Sequence, residues 1–290
     1  MKGITTHLWY DKEAKEAAEF YVSIFKNSKI NSIKTIHNTP SGDCDILSFE
    51  LAGRPFMSIS AGPFFKFNHS ISMFVQCETE TEIDTLWKIL SEKHGYIFWE
   101  LKKYPFSEKY GWITDKYGLT WQLMLTKTKQ NISPLLMFDG KQHGKSEETM
   151  KFYVSVFENS KIEMLERYGQ ENKKCEGLVV HADFNLLGNR FMAMDSGMPA
   201  DINFNEAISF IINCEDQKEI DYYWEKLSAD PKAEQCGWLK DKYGVSWQIV
   251  PTIMNEMMKG DPKKVAKVTE AFLKMKKFDI AILKKAYEGK

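Results

Sequence analysis

The 290-residue chain carries 39 lysines and arginines against 40 aspartates and glutamates, for a formal net charge of −1. Hydrophobic residues make up 43% and charged residues 27%, the balance of a globular protein long enough for two ordinary domains. The even charge gives no argument for nucleic acid or an anionic membrane, either of which would favour a basic stripe, and no run approaches the ~20 apolar residues of a membrane span. A basic stretch from Lys263 to Lys285 is the local exception, and it is interleaved with apolar residues at helical spacing. Cysteines 44, 77, 175, 214 and 236 are odd in number and scattered, which suits free thiols in a reducing compartment. The N-terminal stretch lacks the apolar core of a signal peptide, so a cytoplasmic location is expected.

Ile4–Tyr10 reads as a strand, and Asp11 stands where a helix N-cap belongs. Ala14, Ala17, Ala18, Tyr21 and Phe25 follow at helical spacing, and Asn27-Ser28 stops that helix. Strand-like runs come next near Ile30–His37, Cys44–Leu51 and, after a tight Ala52-Gly53 turn, Pro55–Ser60. The same order then recurs: a strand at Ile71–Cys77, a helix over Glu78–Lys93, and strands near Ile97–Leu101, Gly111–Thr114 and Leu119–Leu125. Lys116-Tyr117-Gly118 joins the last two as a hairpin. Thr126–Ser133 is short and polar, the expected linker.

The second half repeats the first. Lys151–Ile162 (KFYVSVFENSKI) matches Glu19–Ile30 (EFYVSIFKNSKI) at nine of twelve positions. Gly237–Val250 (GWLKDKYGVSWQIV) matches Gly111–Met124 (GWITDKYGLTWQLM) at eight of fourteen. Two matched blocks in the same order mean a duplicated domain. The predicted domains are therefore 1–127 and 133–252, with a helical tail over 260–288. In that tail Asp261-Pro262 supplies a cap and a first-turn proline, and Asp279 can cap a last short helix through Tyr287. The fold class is α+β: four βαβββ modules forming curved mixed sheets, plus the tail.

Tandem βαβββ modules, the FYxSxFxNSKI helix exit and the GWxxDKxGxxWQ hairpin together resemble the PhnB-like branch of the vicinal oxygen chelate superfamily. Glyoxalase I, fosfomycin and bleomycin resistance proteins and extradiol dioxygenases belong to that superfamily. The tail phrase Phe272–Tyr287 resembles the closing segment of the branch, many of whose members carry the label 3-demethylubiquinone-9 3-methyltransferase. The resemblance spans essentially the whole chain. It implies two modules curving a sheet around a pocket, with helices on the convex side. It also implies an intrachain pseudo-dimer of the two copies, with a homodimer as a further possibility. Methyl transfer would need a Gly-rich strand-to-helix turn for adenosylmethionine, and no GxGxG-like element exists among the 17 glycines. No cofactor is expected.

The resemblance also implies where a metal would be held: the opening strand of each module and the last strand of each domain. Those slots fall on Thr6 and Pro134, on Ser70 and Ala207, and on Gln122 and Gln248. Proline and alanine cannot ligate, a lone hydroxyl replaces imidazole poorly, and one amide cannot hold Zn²⁺ or Fe²⁺. His7 and His69 each sit one position from a slot, which in a strand points them to the other face unless a β-bulge intervenes. A metal site from His7, Glu50, His69 and Gln122 is the alternative. Along the repeated strand, Leu119, Trp121 and Leu123 share one face, with Val245, Trp247 and Ile249 in the second copy. Thr120, Gln122 and Met124 share the other, with Ser246, Gln248 and Val250. The candidate ligand pocket is therefore lined by Gln122, Thr120, Met124, Gln248, Ser246 and Ser70. Trp112, Trp238, Asp115 and Asp241 fit hairpin packing and turns, and Asp195 a turn beside Gly197. The expected function is metal-free binding of an unknown small molecule, or an enzyme of unassigned reaction. A metal-dependent lyase or oxygenase is the alternative, and methyl transfer stands behind both.

Overall fold

The structure is a computed structural model and describes residues 3–39, 42–93 and 95–289. The chain divides into two compact units, Thr6–Ile208 and a smaller one made of Met1–Thr5 with Ser209–Lys290.

The larger unit opens with β1 (Ile4–Tyr10), α1 (Ala14–Ile24), β2 (Lys29–Thr39), β3 (Gly42–Leu51) and β4 (Arg54–Ser60). β1 pairs in parallel with β4, and β4, β3 and β2 form an antiparallel meander, giving the order β1-β4-β3-β2. Thr6, Leu8 and Tyr10 alternate onto one face of β1, and the Tyr10 hydroxyl meets that of Tyr21 on α1 at 3.5 Å. Asp11 does not cap α1. The N-cap is Glu13, without a side-chain cap bond, and Ser60 Oγ of β4 accepts from the Ala14 amide at 3.2 Å instead. A neighbouring strand thus satisfies the helix end that a local cap would have served.

The second module runs β5 (Ile71–Cys77), α2 (Glu80–Leu90), β6 (Tyr96–Tyr104), β7 (Ser107–Thr114) and β8 (Thr120–Leu125). The third runs β9 (Asn131–Phe138), α3 (Ser146–Val156), β10 (Lys161–Arg167), β11 (Val179–Leu186) and β12 (Asn189–Asp195). They merge into one mixed sheet of eight strands in the order β10-β11-β12-β9-β5-β8-β7-β6. The seam between the sequence copies is the antiparallel β5–β9 pair, which sets Ser72 opposite Leu135 and Phe74 opposite Ser133. β9 therefore starts inside the segment predicted as linker, because Asn131, Ile132 and Ser133 find ladder partners in Gln76, Val75 and Phe74. Trp121 turns to the helix-bearing face, where its ring packs against Tyr21 and Phe25 at 5.2 and 4.9 Å.

In the smaller unit β13 (Ile208–Cys214), α4 (Gln217–Leu227), β14 (Trp238–Lys240) and β15 (Ser246–Pro251) run in the order β14-β15-β13. The fourth module follows its helix with two strands. The Pro231-containing segment 228–237 makes turns and one isolated bridge between Gln235 and Trp238. α5 (Ile253–Met257), absent from the sequence reading, precedes α6 (Pro262–Leu273) and α7 (Ile280–Glu288), which Asp261 and Asp279 cap as expected. The bend between α6 and α7 reaches back to β14. The amides of Cys236 and Gly237 donate to the carbonyls of Met275 and Lys276 at 2.8 and 2.7 Å.

Candidate functional site

Strand alternation puts Trp121 and Leu123 against helices, so their neighbours turn to the opposite face of the eight-stranded sheet. The register aligns Trp112 of β7, Gln122 of β8, Phe74 of β5 and Ser133 of β9 in one row, with Tyr110 opposite Met124 beside it. On this Gln122 face Phe74, Tyr110, Trp112, Leu135, Met137 and Met192 form a buried cluster. Phe98, Trp99, Tyr104, Met124 and Met194 pack against it half-buried. Unbranched thioethers beside aromatic rings make a soft surface that adapts to ring-shaped molecules. β6, the edge strand, brings Phe98, Trp99 and Tyr104, and its pairing with β7 breaks register three times.

Two polar groups stand out in this apolar setting. Gln122 is fully engaged on both sides of its amide: Tyr110 Oη donates to Oε1 at 2.7 Å, and Nε2 donates to Ser72 Oγ at 2.9 Å. Burial pushes the Tyr110 hydroxyl far up, so it stays a neutral donor. The Trp112 indole is the opposite case. It is 8% exposed, lies 5.0 Å from the Phe98 ring and 6.3 Å from His69, and its Nε1–H is buried with no hydrogen-bond partner. Burial holds His69 below its ordinary value, opposed by the charge of Asp139, so the ring beside Trp112 is neutral.

The other sequence-predicted residues scatter. Met124 packs on the cluster, and Thr120, the first residue of β8, is buried opposite Thr114 on the Gln122 face. Ser70 donates to Asn68 Oδ1 at 2.6 Å and borders a cleft, shared with Phe67, Asn205 and Ala207, too narrow for a water molecule. Gln248 and Ser246 belong to β15 of the smaller unit, where Gln248 Nε2 donates to Ser209 Oγ at 2.9 Å, repeating the Gln122–Ser72 pair.

Sequence reasoning missed a polar group on the same sheet face. Asp183 and His181 of β11 alternate onto the face of Met192, which pairs opposite Asp183. Arg190 grips the Asp183 carboxylate side-on, Nε at 2.7 Å and Nη2 at 2.9 Å, and its Nη1 donates to Gln76 Oε1. His181 Nε2 lies 4.0 Å from the same carboxylate, and its ring is 6.2 Å from Phe74. Burial lowers the His181 pKa against the pull of Asp183, leaving an imidazole that can accept a proton beside the cluster. The HxD alternation of His181 and Asp183 was the available signal.

The metal slots do not form a donor set. Thr6 points to the α1 side of β1, and His7, not Thr6, turns to the opposite face with Met57. Glu50, on β3, accepts from Asn31 at 3.2 Å and lies 3.5 Å from Lys29, while His69 and Gln122 stand beside Trp112 on the eight-stranded sheet. Among the described residues no group of three or more His, Cys, Asp or Glu is placed to hold a metal ion. The described residues at these slots do not fit a divalent metal.

The carboxylates of the repeated motif are structural. Asp115 accepts from Tyr21 Oη, Trp121 Nε1 and the amides of Tyr117 and Leu119 at 2.7–3.1 Å. Asp241 does the same for Trp247 Nε1 and the amides of Tyr243 and Val245. Asp195 takes Ser146 Oγ and the amides of Gly144, Ser146 and Val179, filling the start of α3 with a carboxylate from its own chain.

A mixed sheet shared by two βαβββ modules, helices on one face and a cluster of aromatic and methionine side chains on the other, defines a glyoxalase-fold protein. Glyoxalase I from Zea mays matches with a TM-score of 0.56 at 11% identity, covering 89% of this chain and 96% of that one. The sequence matches the 3-demethylubiquinone-9 3-methyltransferase family twice, over residues 2–124 and 130–250, and the chain belongs to that family. A putative 3-demethylubiquinone-9 3-methyltransferase, PhnB protein, from Bacillus cereus is 41% identical over 42% of this chain and 98% of its own, with a TM-score of 0.40. A putative dioxygenase from Bacillus subtilis is 13% identical, covers 84% of each chain and has a TM-score of 0.48. No curated protein matches the sequence.

Proposed function

We propose that the chain binds a small, largely apolar, ring-bearing molecule without a metal, on the Gln122 face of the eight-stranded sheet. The observation that supports this reading is the buried Trp112 Nε1–H with no partner, set among aromatic rings and methionines. An orphaned buried donor costs about 1–3 kcal/mol, which a ligand carrying a hydrogen-bond acceptor would relieve. The ring stacks on Trp112 in place of Phe98, whose edge strand is the least regularly paired part of the sheet. Gln122 orients Tyr110 and Ser72 and holds the floor in shape; His181 stands where a bound molecule's proton could be taken.

The test is calorimetry with 2-acetonaphthone and 2-isopropylnaphthalene, which share a ring system and differ in the acceptor. The ketone is expected to bind about tenfold more tightly, and Trp112→Phe to erase that preference while keeping affinity for the hydrocarbon. Equal binding of both probes by the wild type would remove the reading. Stoichiometric Zn²⁺, Ni²⁺ or Fe²⁺ in protein purified without chelator, lost in His69→Ala, would replace it with the metal-dependent one.

A further inference from the structure

Arg54 opens β4 immediately after the tight Ala52-Gly53 turn, one position from the exposed Pro55. Its side chain turns inward and is only 9% exposed. Nη1 donates to the backbone carbonyl of Arg190 at 2.7 Å, joining the first sequence copy to the second, and the guanidinium carbon sits 5.1 Å from the centre of the Phe191 ring. Nε and Nη2 are buried without any hydrogen-bond partner, and no described carboxylate pairs with this cation. Dehydration alone draws its pKa down to about 9. A buried guanidinium with neither counter-ion nor a full set of acceptors is among the most costly groups a fold can carry.

The identity of the two idle atoms points to what is missing. Nε and Nη2 form one edge of the guanidinium plane, and two parallel N–H bonds from that edge match the two oxygens of a carboxylate. The residue that accepts from Nη1 supplies the worked comparison: Arg190, on the other sheet, uses its own Nε and Nη2 to hold Asp183 at 2.7 and 2.9 Å. In the duplicated sequence Gly53 aligns with Gly188, which places Asn189 opposite Arg54, so the second copy has no equivalent cation.

We propose that the unpaired Nε–Nη2 edge of Arg54 is a binding site for an oxyanion, a carboxylate or a small inorganic equivalent, seated between the β3–β4 turn and β12. The chemistry is the same whether the oxyanion is a free small ion or the carboxylate of a larger metabolite.

The test is thermal unfolding of the full chain in formate, acetate, benzoate and phosphate against chloride at matched ionic strength. It is run on wild type, Arg54→Met and Arg54→Lys. At about ten times the dissociation constant the wild type is expected to gain about 4 °C over chloride. Both variants are expected to show no such gain, because methionine lacks the charge and lysine lacks the fork. A gain with formate and acetate but not benzoate identifies a free ion; the largest gain with benzoate identifies a ligand's carboxylate. Arg54→Met is expected to unfold no earlier than wild type in chloride, since it removes an uncompensated charge. An equal gain in all three proteins would show a general salt effect and overturn the site. So would no gain in the wild type, or a crystal grown in formate with only water on the Nε–Nη2 edge.

Discussion

His7 shows how one side chain ties the fold to pH. It is 4% exposed on β1, and burial holds its imidazole down to about 3 from an ordinary 6.5. Below pH 6.5 the unfolded chain therefore takes up a proton that the folded protein refuses. The stability tied to this group is complete above that pH and drains away as the pH falls towards 3, by at most about 1.4 kcal/mol per pH unit. The second copy carries Leu135 at this position, so the site can be apolar. His7→Leu is expected to flatten the decline of urea-unfolding midpoints between pH 6.5 and 3.5. Unchanged slopes in the variant would mean that His69, His181 and the carboxylates carry the whole acid response. At this scale the sequence was informative where a residue recurs at fixed spacing. Asp115 with Trp121 and Asp241 with Trp247 are six apart in both copies, and the spacing marks a structural bond. Arg54 and Trp112 left no such mark, because what distinguishes them is a missing partner, and only the packed neighbours reveal that.

The glycines of the two GW pairs illustrate the same logic one level up. A Cβ on Gly111 would lie 2.5 Å from the Trp87 ring of α2, so the glycine lets that helix close on β7. At Gly237 the visitor is Phe278 from the α6–α7 bend, 2.6 Å from the same imaginary atom, with the Ile249 carbonyl oxygen at 2.9 Å. Gly237 also has φ +83°, a left-handed backbone that costs an L-residue about 1–2 kcal/mol. Gly237→Ala is therefore expected to lose at least about 2–3 kcal/mol in denaturant titrations, since backbone as well as ring must yield. A loss under 1 kcal/mol would mean that the tail docks loosely. The repeated GW was visible in the sequence as a hairpin feature, yet the two large residues that require it come from unrelated elements. Propensity had no access to that pairing, nor to the replacement of Asp11 by Ser60 at the start of α1.

At the scale of the molecule, the duplication and the βαβββ order were legible because two strong motifs recur in order. Which module shares a sheet with which was not, because hydrophobic alternation fixes faces and leaves partners open. The outcome is that β5 of the first copy and β9 of the second complete one another, and with them the Gln122 face. Residues 1–129 expressed alone would carry β5 with that edge bare. Such a fragment is expected to elute as a dimer or larger, by light scattering after gel filtration, because an unpaired hydrophobic strand recruits another. A monomer with wild-type near-ultraviolet tryptophan dichroism would show instead that the first copy closes on itself.

The reach of the tail back to β14 also sets a clock on the ribosome. Gly237 waits for Lys276, and at about 5–20 residues per second the intervening stretch takes roughly 2–8 s to synthesise. Until then the amides of Cys236 and Gly237 lack these carbonyl partners, while all the residues of the eight-stranded sheet have already been made. The last hydrogen-bond partners of β14's leading turn are therefore made after every strand of the eight-stranded sheet.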